Sequence, residues 1–161
     1  MDRLARVSPL GLQRLRVLDC LGGNSRFSGY FEPAADADLY KAFADYVAQM
    51  SQQWAAETQP VLISLLAAGR LLAGDLAAAD VILDHLPAEA FKLDHGAGIC
   101  IVMPLYALST SLPLPASLRD TDRWVAGSAE QAALRTWLAE HRDKLRWVEA
   151  DGVYHADRDI G

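Results

Sequence analysis

Cysteine is scarce in this sequence, since Cys20 and Cys100 are the only two in 161 residues. Two cysteines cannot build the disulfide framework of a small secreted domain, so we expect a cytoplasmic protein. The four histidines include no His-x-x-x-His pair and the chain contains no Cys-x-x-Cys, so we predict neither a metal site nor a cofactor. The sequence also lacks a glycine-rich phosphate loop and the Gly-x-Ser-x-Gly motif of serine hydrolases.

Basic residues are outnumbered, with 15 Lys and Arg against 21 Asp and Glu and a formal net charge of −6. Nucleic-acid binding needs clustered Lys and Arg, so this balance predicts no nucleic-acid partner. Charge of either sign is absent over residues 96–118, a stretch long enough to cross a bilayer. Because Pro104, Pro113 and Pro115 interrupt it, we interpret the stretch as buried core and predict no membrane contact.

The sequence contains 27 alanines, and its apolar residues recur at helical spacing. Both features favour helices. Helical patterns cover residues 8–21, 36–57, 60–86 and 128–145, whereas residues 99–108 fit a buried helix or a buried strand that Pro104 would break. Asp151-Gly152 between β-prone residues predicts a hairpin over about residues 146–156. We therefore expect a mainly α protein, a single-domain bundle of five or six helices over residues 1–161 with a small C-terminal β-hairpin.

Local sequence features predict where the elements begin and end. Gly74 should stop one helix and Asp75 should cap the next, which makes residues 60–86 a helical hairpin. Residues 65–86 resemble one helix pair of a tetratricopeptide repeat, but no second copy follows, and repeat folds need several stacked units.

Ser128 and Gln131 match a capping box. An isolated hairpin is marginally stable, so Trp147 or Tyr154 should anchor it to the helices.

Acidic residues recur between positions 75 and 94, a range in which Lys92 is the only Lys or Arg. We define this acidic surface by its five carboxylates: Asp75, Asp80, Asp84, Glu89 and Asp94. Asp80 and Asp84 are four residues apart on one helix, where like charges slightly destabilise it. Acidic residues that do not help the chain to fold can instead serve to bind a basic partner. The preferred interpretation is thus a non-catalytic protein-binding domain, for example an inhibitor such as an immunity protein that blocks a bacterial toxin.

Two other functions are compatible with the sequence. The sequence does not determine the oligomeric state. His95 and Cys100 could serve as the base and nucleophile of a small hydrolase, although the apolar residues after Cys100 favour an inert, buried thiol. Exposed aromatic residues could instead make the chain an oligomerising helical scaffold, with Tyr30, Phe31 and Trp124 as the candidates. A solvated helix face is the simplest alternative explanation of the acidic surface itself.

Overall fold

The computed structural model describes residues 17, 45, 47, 48, 52, 60–89, 98–148 and 152–157, with the backbone alone at residues 61 and 98–101. This part of the chain is helix-rich and ends in a small antiparallel hairpin. Its elements are α1 (Pro60–Leu72), α2 (Ala78–Asp84), α3 (Gly98–Ser111), α4 (Ala129–His141), β1 (Leu145–Val148) and β2 (Val153–Ala156), with short 3-10 turns at Ala116–Leu118, Thr121–Arg123 and Arg142–Lys144.

The predicted helical hairpin is confirmed in α1 and α2, which pack against each other. Gly74 has a φ of +98°, a conformation that glycine adopts at little cost and that ends α1. Asp75 accepts a hydrogen bond from the amide of Ala77 at 3.2 Å, so its carboxylate closes the turn. The helix itself begins later than the sequence indicates, because Ala77 is the N-cap residue and contributes no side-chain bond.

Residues 99–108 lie in α3, which resolves the choice between helix and strand. The expectation that Pro104 would break this element is wrong, since α3 continues through it. Proline removes one amide donor and crowds the preceding turn, a cost that burial offsets here. Met103 and Leu108 are almost completely buried in the core, and α3 packs along α1. Among the described residues, no helix is long and apolar enough to cross a membrane.

The last helix, α4, begins as its sequence predicts. Ser128 is its N-cap and accepts a hydrogen bond from the amide of Gln131 at 3.1 Å. Leu134 and Leu138 lie on the buried face, as the helical spacing indicates. The predicted extension of this stripe to Leu145 is wrong, because α4 ends at His141 and Leu145 begins β1. Pairing with β2 thus overrides the helical pattern at this point.

The C-terminal hairpin is anchored to the helices by its two large aromatic residues. Trp147 and Tyr154 are cross-strand partners whose rings lie 5.0 Å apart between centroids. Tyr154 is buried and donates a long hydrogen bond, 3.4 Å, to the carbonyl of Leu71. Trp147 covers the turn after α1, where a Cβ on Gly74 would lie 3.0 Å from the indole. Both aromatic anchors that the sequence proposes are therefore used.

The sequence also predicts helices over residues 8–21 and 36–57, most of which lie outside the described residues. Within them, Val17 and Val47 are helical and fully buried. Both approach Gly69 of α1: a Cβ added there would lie 2.9 Å from one methyl of Val47 and 3.6 Å from a methyl of Val17. The absence of a side chain at Gly69 therefore allows Val17 and Val47 to approach α1 closely.

Candidate protein-binding surface

The acidic surface is centred on α2, which turns one face to the core and the other outward. Ala78, Ala79, Ile82 and Leu83 are buried, because they face α1, α3 and α4. Asp80 and Asp84 lie on the outward side, and Glu89 is exposed in the segment that follows. Asp75 lies in the turn before the helix. Asp94, the fifth member predicted from the sequence, lies outside the described residues.

Asp80 and Asp84 are held by arginines from the C-terminal part of the chain. Arg142 donates through Nη2 to both carboxylate oxygens of Asp80, at 2.6 and 2.7 Å. The Nη1 of Arg135 donates to Asp84 at 2.6 Å. These arginines are 62 and 51 positions away along the chain, so a local charge count cannot detect them.

Asp75 has a local partner in Arg70, whose Nε and Nη2 donate to one carboxylate oxygen at 3.0 and 2.7 Å. The impression from the sequence that only Lys92 opposes these carboxylates is therefore wrong. Three of the four described carboxylates are each in an ion pair with an arginine of this chain. This pairing removes most of the local excess of negative charge on which the sequence argument depends.

The ion pairs are exposed, and this limits their strength. The side chains of Asp84 and Arg135 are 53% and 44% exposed, and the other two pairs are similar. Ion pairs in such surroundings contribute about 0–1 kcal/mol to stability, because water solvates each partner almost as well. A basic group from another molecule could therefore replace an arginine of this chain at small cost.

Hydrogen bonds of Gln131 also hold the end of α2 against the beginning of α4. Gln131 donates from Nε2 to the carbonyl of Leu83 at 2.6 Å, while its Oε1 accepts from the amide of Gly127 at 2.7 Å. Gln131 was predicted only as part of a capping box, and its second role depends on a contact 48 residues away. Asp84 is therefore presented by a helix end that is already held in place.

The residues proposed for chemistry lie mostly outside the described part. His95 is outside it, and only the backbone of Cys100, in the first turn of α3, is described. The Cys/His hydrolase stays a prediction, for which thiol labelling under native conditions is the test. Within the described ranges, no three His, Cys, Asp or Glu residues lie close enough together to hold a metal ion. His85 and His141 each bond a backbone carbonyl of their own helix at 2.7 Å.

Trp124 is not an exposed aromatic residue and gives no support to an oligomerising scaffold. This residue is only 1% exposed, and its indole donates to the carbonyl of Leu118 at 3.1 Å. It is a core residue because the segment after α3 folds back over the helices. Tyr30 and Phe31 lie outside the described residues. The large apolar side chain that is exposed in the described part is Tyr106, which the sequence argument did not single out.

Comparison with protein-family models, curated proteins and solved structures gives no match for this chain. The functional assignment therefore depends on its own residues and their geometry.

Proposed function

We propose that this chain is a non-catalytic protein-binding domain whose acidic surface contacts a basic surface of its partner. The single observation that supports this proposal is the placement of Asp84 and Glu89. Both are exposed, and Asp84 ends a helix whose other face is packed in the core. Asp84 is carried by a backbone that packing and the Gln131 hydrogen bond already hold, so little backbone ordering is needed when it binds, which favours affinity. An inhibitor of a basic partner, such as an immunity protein acting in the cytoplasm, is a function of this class.

The internal arginines change the expected mode of binding. Long-range attraction depends on net charge, and the arginines offset most of that charge around α2. We therefore propose that binding proceeds by exchange of ion pairs at short range, with partner cations replacing Arg135 and Arg142 on Asp84 and Asp80. The association rate should then depend only weakly on salt, whereas the dissociation rate should respond to substitution of the carboxylates.

Affinity capture from the source cell tests this proposal with three immobilised baits. The first is the wild-type chain and the second carries Asp84→Lys with Glu89→Lys. The third carries Glu140→Lys with Asp143→Lys, two exposed acidic residues beyond the acidic surface that give the same change in net charge. The proposal predicts a protein retained by the first and third baits and lost from the second. Equal retention by all three baits contradicts it.

We also propose that residues 1–161 form a single-domain bundle of five or six helices. The helices predicted over residues 8–21 and 36–57 would add to the four α-helices of the described part. The buried, helical Val17 and Val47 beside Gly69 support this arrangement. Circular dichroism of the whole chain gives the test. A helix content no greater than that of α1 to α4 alone would contradict the proposal.

A further inference from the structure

A second surface, independent of the acidic one, lies along the outer edge of the hairpin. A groove of about 640 Å³ runs between the four residues of β2 on one side and residues 109–113 at the end of α3 on the other, with Arg119 beside them. This volume falls within the range of about 300–1,000 Å³ typical of ligand sites in proteins. We name it the β2 groove.

The hydrogen-bond register shows which backbone groups of β2 point away from β1. The amide of Asp157 donates to the carbonyl of Lys144 at 3.0 Å, and these residues continue the register in which Ala156 opposes Leu145. Hydrogen-bonded and non-hydrogen-bonded pairs alternate along an antiparallel ladder. Ala156 and Tyr154 are consequently in non-hydrogen-bonded pairs, and their N–H and C=O groups point away from β1. In the sheet that the structure describes, β2 pairs with β1 alone, and no backbone hydrogen bond between described residues involves the outward groups of Tyr154 and Ala156.

The side chains of the groove specify what could pair with that edge. Arg119 uses its Nε to donate to the carbonyl of Leu114 at 2.7 Å, which positions the guanidinium and leaves its terminal nitrogens without a partner among the described residues. No carboxylate is found among the described residues that line the groove. The buried hydroxyl of Ser111, in the same wall, has no hydrogen-bond partner among the described residues. A buried hydroxyl without a partner costs about 1–3 kcal/mol, so a polar ligand atom that reached it would gain affinity.

We propose that the β2 groove binds an extended segment of a partner protein that carries an Asp or Glu side chain. The segment adds as a third strand to the outer edge of β2, and its backbone pairs with the N–H and C=O groups of Tyr154 and Ala156. Its carboxylate binds the terminal nitrogens of Arg119, a charge-assisted contact that selects acidic sequences. Arg119 is thus a cation in a groove whose described lining contains no carboxylate, in a chain whose formal net charge is −6, and this contrast favours an acidic segment over a basic one.

A displayed library of random linear peptides, selected on the whole chain, supplies the probe for this site. The proposal predicts that enriched peptides contain Asp or Glu between β-prone residues. A synthetic peptide of an enriched sequence should slow amide hydrogen exchange at Tyr154 and Ala156. Arg119→Gln should weaken its binding about 10-fold or more. The matched control is Arg146→Gln, which removes an exposed arginine from β1 outside the groove and should leave the affinity unchanged.

Ala156→Pro provides a second test that does not depend on charge. The amide of Ala156 points away from β1, and proline is tolerated where a strand's N–H faces outward, so the hairpin should still form. Strand addition should nevertheless be lost. Enriched peptides without acidic residues, or binding that survives both Arg119→Gln and Ala156→Pro, would overturn the proposal. A dimer of this chain that Ala156→Pro dissociates would also overturn it, since a second copy would then occupy the edge.

Discussion

The contact between Asp80 and Arg142 allows a direct test of how strongly the chain holds its own acidic surface. One guanidinium nitrogen donates to both oxygens of the carboxylate at 2.6 and 2.7 Å, while the two side chains remain 45% and 38% exposed. Short, charge-assisted bonds favour a value at the upper end of the range for exposed pairs. We therefore expect a coupling free energy of about 1 kcal/mol between the two side chains.

A double-mutant cycle measures this coupling. Urea unfolding is compared for the wild type, Asp80→Asn, Arg142→Gln and the double variant, with Asp143→Asn as a control for loss of an exposed carboxylate. The coupling should fall at about 1 M salt, where the Debye length is only about 3 Å. A coupling near zero at low salt would mean that the ion pair is not formed in solution. A coupling above about 3 kcal/mol would contradict the proposed exchange of ion pairs with a partner.

Three further predictions concern the core and the hairpin anchor. Gly69→Ala should destabilise the protein by about 1 kcal/mol, as measured by urea unfolding. Overlap of the new methyl group with the stiff Val47 side chain costs more than the roughly 1 kcal/mol gained in helix propensity. The loss should disappear in a Val47→Ala background, where the overlap is removed. Trp124→Phe should lower the free energy of unfolding by about 2–4 kcal/mol in the same assay, because it removes the hydrogen bond to Leu118 and leaves a cavity. A change below about 1 kcal/mol would contradict the burial of Trp124. Burial, and secondarily the charge of Asp75, raises the pKa of Tyr154 well above its usual value of 10.0, so only the unfolded chain releases this proton just above that pH. The free energy of unfolding should therefore fall by about 1.4 kcal/mol per pH unit above about pH 10 because of this group. Tyr154→Phe should abolish this slope, and a slope that persists in the variant would contradict the prediction.

Features encoded by neighbouring residues were predicted well from the sequence. The helix ends at Gly74 and Ser128 depend on backbone conformation and capping within a few residues, and both are confirmed. The hairpin around Asp151-Gly152 is another local feature, and its aromatic anchors follow from the need of a two-stranded sheet for support. Pro104 shows the limit of local rules, because the packing of α3 on α1 outweighs a helix-breaking residue.

The candidate site was less predictable, because its electrostatics depend on contacts between distant parts of the chain. The acidic residues were found from sequence spacing alone, but the pairing of Asp80 with Arg142 requires α4 to lie across α2. Nothing in the spacing of Arg135 and Arg142 indicates which carboxylates they meet. The β2 groove was missed for a similar reason, since it is formed by Arg119 and a strand that lie far apart in the sequence.

Carboxyl footprinting of the complex tests the central proposal most directly. The chain is labelled with a carbodiimide and an amine, alone and bound to the protein that the wild-type bait retains, and the labelled carboxylates are quantified by mass spectrometry. Binding through the acidic surface predicts that Asp84 and Glu89 are protected in the complex, whereas Glu140 and Asp143 react at the same rate in both states. Unchanged labelling of Asp84 and Glu89 in the complex would contradict it.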